Sequence, residues 1–302
     1  MGLAPWGRVV AVAATISLVT MLGDDQRAWI IVISIWAVLS LIPLYICYAW
    51  TEEIVEVAGQ KEEKPSVKES LLLCLKNPYW WGVGIIWGIA AAHYGLIGAA
   101  LPYYCKYIFG DANLYSPIYT IELAIWSIMA FLTPMMVKKW TKRNICLFAM
   151  VVSIVAQAVY WISSPASLTG MYIVTVIRSI CFGAYIPCMF AFMSDVVEYT
   201  QWRWHKREEG MIFSATGVFY KAFAALMAIA VGGMMEHAGY ISSTGEEVAQ
   251  PQAVLDIIPV IYNGGLVVIY IIAAVILLFW KIDKNYTRIM SDLREREKLG
   301  IL

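Results

Sequence analysis

Four titratable side chains stand inside stretches of sequence that offer them no polar neighbours: His93 within Gly88-Ile-Ala-Ala-Ala-His-Tyr-Gly95, Glu122 in Tyr115–Val137, Arg178 in Leu168–Phe192, and Lys221 in Met211–Met235. A charge at the centre of a membrane helix costs about 2.5–3.5 kcal/mol on insertion scales, so each needs a partner, a water-filled cavity or a substrate. Lys221 lies about 12 residues into a helix that starts near Glu209, roughly 18 Å at 1.5 Å per residue, too deep for its stem to carry the ammonium to either interface. Glu122 and Arg178 both fall about 10–15 Å inside the same surface, and the expectation is a buried ion pair or a shared cavity. A lone histidine such as His93 is either a satisfied interior group or a proton relay. A second constellation follows: Asp195 and Glu198, three residues apart and so on one helix face, ahead of the basic stretch Arg203–Arg207. This chemistry pairs, separates and binds charges; it does not make or break bonds. No GxSxG, HExxH or phosphate-binding loop is present, and no pair of histidines shares a helix face. Catalytic residues are therefore not expected, nor a metal site or a bound cofactor, and without a nucleotide site any pumping must draw on an ion gradient.

The elements that must position these side chains are membrane helices. The chain is 61% hydrophobic and 15% charged, against about 45–50% and about 25% for a soluble domain, and its mean hydropathy is +0.68. A net charge of zero argues against a nucleic-acid partner. A crossing helix needs about 20 apolar residues. Seven stretches qualify: Ala28–Trp50, Tyr79–Ala100, Tyr115–Val137, Ile145–Ile162, Leu168–Phe192, Met211–Met235 and Ile257–Trp280. Val9–Leu22 is a shorter eighth. Six scattered cysteines, without a CxxC pair, read as free thiols, and the N-terminus does not resemble a cleaved signal peptide.

Lysine and arginine concentrate in every second loop, at Lys61–Lys76, Lys138–Arg143, Arg203–Arg207 and after Lys281. Cytoplasmic loops retain such charges, so both termini are expected in the cytoplasm, on a multi-pass protein of the cell (plasma or inner) membrane. The layout is a two-span piece (1–50), a cytoplasmic linker (51–78), a six-span bundle (79–282) and a charged tail (283–302) expected to be solvated. Within the linker, Val67–Lys76 is predicted as a short interfacial helix, punctuated by Asn77-Pro78.

One stretch carries a resemblance: Met193-Ser-Asp-Val-Val-Glu-Tyr199, the basic loop through Gly210, then Lys221 and Gly239-Tyr240, with Leu101-Pro-Tyr-Tyr-Cys-Lys-Tyr107 and Asp111-Ala112 as a weaker second match. It resembles the glycoside–pentoside–hexuronide:cation symporters, the melibiose-carrier type within the major facilitator superfamily, over nearly the whole chain. The resemblance implies an all-α, major-facilitator-type bundle in which these roughly eight spans correspond to the family's fifth to twelfth helices, the last two of the N-terminal bundle and the six of the C-terminal one. It implies that Lys221 couples sugar and cation sites, that Asp195, Glu198, Tyr199 and Arg207 form a cytoplasmic gate, and that Arg8 matches a sugar-contacting arginine. The chain departs from the family pattern at Glu198, Thr200 and Gln201. Tyr103, Tyr104 and Tyr220 are candidates for sugar contact. The function implied is cation-coupled symport (Na+ or H+) of a sugar, glycoside or hexuronide. The alternative is a non-transporting fragment, or a half that needs the preceding helices or another chain as partner.

Overall fold

A computed structural model describes residues 4–23, 25–51, 66–242 and 248–299. Among these the chain is helical throughout and contains no strand. The helices are α1 (Ala4–Met21), α2 (Gln26–Trp50), α3 (Val67–Lys76), α4 (Pro78–Tyr107), α5 (Tyr115–Val137), α6 (Lys142–Ser163), α7 (Leu168–Trp204), α8 (Glu209–His237), α9 (Gln252–Pro259), α10 (Gly265–Phe279) and α11 (Ile282–Lys298). A wide π turn, Val260–Gly264, joins α9 to α10 into one membrane-length rod.

Seven helices among the described residues are long and apolar enough to cross a membrane, and they match the seven longer stretches of the sequence. The eighth, Val9–Leu22, is present as the 18-residue α1, which is not among those seven. Most of the linker, residues 52–65, lies outside the described residues. Helix starts follow local chemistry: Asn77, Thr141 and Ser167 accept from backbone N–H groups at the heads of α4, α6 and α7, satisfying donors that a helix leaves open.

Helices α4 to α10 share one core. Its closest seam is α4 against α8. Gly84 and Gly88 lie one turn apart on α4, and a Cβ there would meet the Phe219 ring at 2.9 Å and the Phe223 ring at 2.7 Å. Small residues on one helix thus admit the large ones of the other, the close approach on which membrane helices rely in place of a hydrophobic drive. A similar contact joins α7 to α5, where a Cβ on Gly183 would lie 2.7 Å from Met129 Cβ. Helix α1 packs on α5 and α2 on α1, while α2 buries only Ala28 and Val32.

One expectation is overturned. The tail is not a solvated helix: α11 packs against α7, with Ile282, Ile289 and Leu293 buried. Trp202 Nε1 donates to Asp292 Oδ2 at 2.9 Å, and Arg296 donates to the Trp202 carbonyl at 2.9 Å. Alternating charges had suggested solvation; the apolar residues at 282, 286, 289, 290 and 293 form a stripe at helical spacing that the charges concealed.

Candidate functional site

Three groups of polar residues organise the molecule. The first is in the middle of the bundle and wholly buried. Arg178 on α7 donates to Glu122 Oε2 on α5 at 2.7 Å, with both side chains 0% exposed. The other carboxylate oxygen lies 2.9 Å from His93 Nε2 on α4, and Nδ1 of the same ring is 2.9 Å from the Tyr270 hydroxyl on α10. An ionised carboxylate only accepts, so Nε2 carries the proton, and in the neutral ring Nδ1 accepts from Tyr270. The His93 ring also stacks on Phe182 at 3.8 Å between centroids.

Arg178 reaches further, to the Tyr262 hydroxyl at 3.0 Å and Gln157 Oε1 at 3.4 Å. Gln157 in turn donates to Asn263 Oδ1 at 2.6 Å, and Asn263 donates to the Tyr104 hydroxyl at 3.3 Å. Tyr104 and Tyr160 both donate to the Pro165 carbonyl, at 2.5 and 2.7 Å. The π turn makes this chain possible: it brings the consecutive residues Tyr262 and Asn263 inward together, both fully buried. One cation and one anion make the group neutral, and the carboxylate has a partner on each oxygen, the condition for keeping ions in an apolar interior. Glu122 and Arg178 are therefore in direct contact, with His93 on the same carboxylate. Tyr262, Gln157, Asn263, Tyr160 and Tyr270 were missed by the sequence reading. Their only signal is the polar Tyr262-Asn263 pair inside the last apolar stretch.

The second group gathers the ends of helices that carry the basic loops. Lys142, at the start of α6, lies 2.6 and 2.5 Å from the two oxygens of Asp195 on α7. Its ammonium also sits 4.9 Å from the Tyr286 ring of α11. Burial first, then the neighbouring Glu198 carboxylate, push the Tyr286 phenol up to about 12. Arg143 donates to the Leu277 and Leu278 carbonyls at 2.6 and 2.9 Å, and its backbone N–H to Asp283 at 3.1 Å. Thr200, one of the departures from the family pattern, accepts from Asn77 Nδ2 at 2.9 Å and so ties α7 to the head of α4.

The partners differ from those expected. Asp195 and Glu198 face α6 and α11, not the Arg203–Arg207 loop. Arg207 lies apart on the surface, 3.2 Å from Glu209 and 3.3 Å from Gln201. Tyr199 packs edge-on against Tyr79 at 4.7 Å. The loop departs from α7 through His205, whose left-handed φ of 57° turns the chain away and carries Arg207 off the Asp195 face.

The third group is a surface on α8. Lys221 is exposed at the middle of this 29-residue helix. The phenylalanines at 219 and 223 enter the seam with α4, which leaves the lysine on the other side. It shares that side with Gly210, Ser214, Ala225, Ala228 and Gly232, spaced by helical steps and all exposed. A Cβ on Gly210, Gly217 or Gly232 would meet nothing within 4 Å. Tyr220 is half-buried, its ring 6.3 Å from that of Trp87. Tyr103 lies near the opposite end from the basic loops, edge-on to Tyr240 at 5.3 Å. Tyr104 is a correction: it is 0% exposed and both of its hydrogen-bonding directions are used inside the bundle, so it does not line an open surface. Arg8 belongs to α1, but its side chain lies outside the described residues.

Residues 3–284 match the family described as MFS/sugar transport protein. Among curated relatives, the chain is 28% identical over 277 residues to an isoprimeverose transporter of Lactiplantibacillus pentosus, covering 90% of this chain and 56% of that protein. It is 24% identical over 295 residues to a putative sulfoquinovose importer of Escherichia coli, covering 96% of this chain and 62% of the relative. A putative 2,3-dihydroxypropane-1-sulfonate exporter of the same organism is 21% identical over 290 residues, 91% of this chain and 60% of its own length. The chain thus spans somewhat more than half the length of these relatives.

Proposed function

The chain belongs to the MFS/sugar transport protein family, and from that premise we propose that it forms the larger part of a symporter that moves a sugar, glycoside or hexuronide with Na+ or H+ by alternating access. The observation that carries the reading is Lys221. An exposed ammonium at the middle of a membrane-length helix cannot face lipid at tolerable cost and cannot reach headgroups, so its surface is the wall of an aqueous, substrate-lined cavity. The small residues that share its helix face leave room beside it for a polyhydroxylated solute, and family sites of this kind lie near mid-membrane between bundles. In this arrangement α4 to α10 make one rigid body, α1 and α2 belong to the other, and the preceding helices of the relatives supply the opposite wall. Lys221 holds substrate and cation sites in communication, with Tyr220 beside it at mid-helix and Tyr103 nearer the end of the cavity away from the basic loops.

At the basic-loop end, which by the loop bias is the cytoplasmic one, the Lys142–Asp195 pair fastens α6 to α7 inside the rigid body, and the contact of Glu198 with Tyr286 of α11 is the part of the gate that can be held in one state and parted in another. Relatives named as importers and as an exporter lie at similar identity, and alternating access runs in either direction, so the ion gradient sets the direction of flux.

The test is uptake of labelled sugar into vesicles, with Na+ and H+ gradients varied, for the chain alone and for the chain joined to the upstream helices of a relative. Lys221→Ala is expected to abolish accumulation while insertion and unfolding stability stay unchanged, because the residue is exposed and outside the core. Normal accumulation by that variant removes Lys221 from the mechanism. The coverage of the relatives favours a second reading, a half that transports only with a partner chain; it predicts uptake by the joined protein and none by the chain alone.

A further inference from the structure

The turn between α5 and α6 carries four basic residues, Lys138, Lys139, Lys142 and Arg143, that divide into two pairs. Lys142 and Arg143 are drawn inward, onto Asp195 and onto the carbonyls at the end of α10. Lys138 and Lys139 are exposed, and among the described residues neither makes an ion pair. Beside them is an open depression of about 390 Å³, lined by Lys139, Trp140, Thr141 and Asn144. That volume is in the range of small-molecule clefts.

Its walls differ in chemistry from top to bottom. At the upper rim are the two unpaired ammonium groups and the first turn of the 22-residue α6, whose dipole favours an anion, while its Arg143 and Asn144 N–H groups are already taken by Asp283 and Thr141. At the lower rim is Trp140, 53% exposed and edge-on to the 58% exposed Phe148 at 5.9 Å. Below Phe148 the exposed residues Val151, Val155 and Val159 continue down α6 as an apolar strip, with Met135 and Phe131 exposed on α5. Cations above an indole above a strip of hydrocarbon is the order of a phospholipid from phosphate through carbonyl to acyl chain. Tryptophan is the residue that favours the middle layer, and basic recesses between membrane helices take anionic headgroups.

We propose that this turn is a binding site for one anionic phospholipid, its phosphodiester held by Lys138, Lys139 and the head of α6, and its acyl chains lying along Phe148 and Val151. A free anion would use the ammonium groups but leave Trp140, Phe148 and the valine strip unexplained, so the lipid is the occupant that accounts for the whole surface.

The full chain is reconstituted in vesicles of equimolar phosphatidylcholine and phosphatidylglycerol, extracted in mild detergent, and weighed intact to count retained phosphatidylglycerol per chain. Each lysine near an anionic surface contributes about fivefold in affinity, so Lys138→Gln with Lys139→Gln lowers binding roughly thirtyfold. Lys138→Arg with Lys139→Arg retains the lipid, which separates lost charge from lost folding. Lys68→Gln with Lys76→Gln, an exposed basic pair on α3, removes the same charge elsewhere and leaves retention within about twofold. Equal loss from both glutamine pairs would reduce the effect to general surface electrostatics and overturn the site. So would undiminished retention in Lys138→Gln/Lys139→Gln, or displacement of the lipid by inorganic phosphate, which would identify a free-anion site.

Discussion

The Glu122–Arg178 pair offers the most direct physical test of how this bundle is held together. Consider Arg178→Met. The substitution preserves most of the apolar stem but removes the guanidinium, and Glu122 is left as a 0% exposed carboxylate with His93 as its remaining partner. The Tyr262 hydroxyl and Gln157 Oε1 lose a donor in the same step. Removing one member of a buried ion pair costs about 3–5 kcal/mol, most of it the charge left behind. Glu122→Gln acts in the opposite sense, leaving Arg178 charged and without its counter-ion, at a similar cost of about 3–5 kcal/mol.

The double variant Glu122→Gln/Arg178→Met removes both charges, while the amide carbonyl still accepts from His93. Replacing a buried pair by neutral groups of similar volume is often close to neutral, so the double variant should be at least about 2 kcal/mol more stable than the sum of the single losses predicts. The assay is unfolding free energy from titration of a denaturing detergent into mixed micelles, followed by helical circular dichroism. Additive losses, or an Arg178→Met loss below about 1 kcal/mol, would refute the view that each charge is retained for the other.

Two further outcomes follow from the basic-loop end. Lys142→Ala leaves Asp195, 2% exposed, without its cation; a loss of about 2 kcal/mol is expected in the same titration, with Asp195→Asn in the same chain recovering most of it. Cys74 on α3 is buried, and burial, followed by the nearby Glu208 carboxylate, pushes its thiol up to about 11. Because only the thiolate attacks, maleimide labelling of a chain whose other cysteines are replaced by serine should be slow at neutral pH and rise with pH up to about 11. Glu208→Gln should shift that rise to lower pH, and rapid labelling at neutral pH would count against a buried, protonated thiol.

The residues that could be found from sequence were those whose presence in an apolar stretch is costly. Glu122, Arg178, His93 and Lys221 stand out because the membrane penalises them one by one, and such a penalty is read without knowing any contact. Tyr262, Gln157 and Asn263 carry no such penalty. Uncharged polar groups are tolerated in many membrane helices, and only the π turn brings the two residues of α10's approach onto the inner face together. Tyr104 was misread because aromatic residues line cavities and fill cores alike; its hydroxyl's bond to the Pro165 carbonyl spans 61 residues. The gate was legible in its acids but not in their partners. Asp195 is 53 residues from Lys142 and only 12 from Arg207, yet it pairs with the former.

What the sequence by itself determined is the solvent and the material: a chain of membrane helices, with their ends marked by basic loops, caps and turns. Hydropathy and capping act over one helix and its neighbours in the chain, so they survive without coordinates. What only the tertiary structure decided is which charges meet. The closeness of α5 to α7, where Gly183 faces Met129, and the packing of α4 against α7 and α10 bring His93, Glu122, Arg178 and Tyr270 from four helices to one point; the seam of α4 with α8 is set by glycines facing Phe219 and Phe223. The same packing turns Lys221 outward from the bundle. The depth of a charge is written along the chain, but its direction is set by the helix face that its neighbours bury.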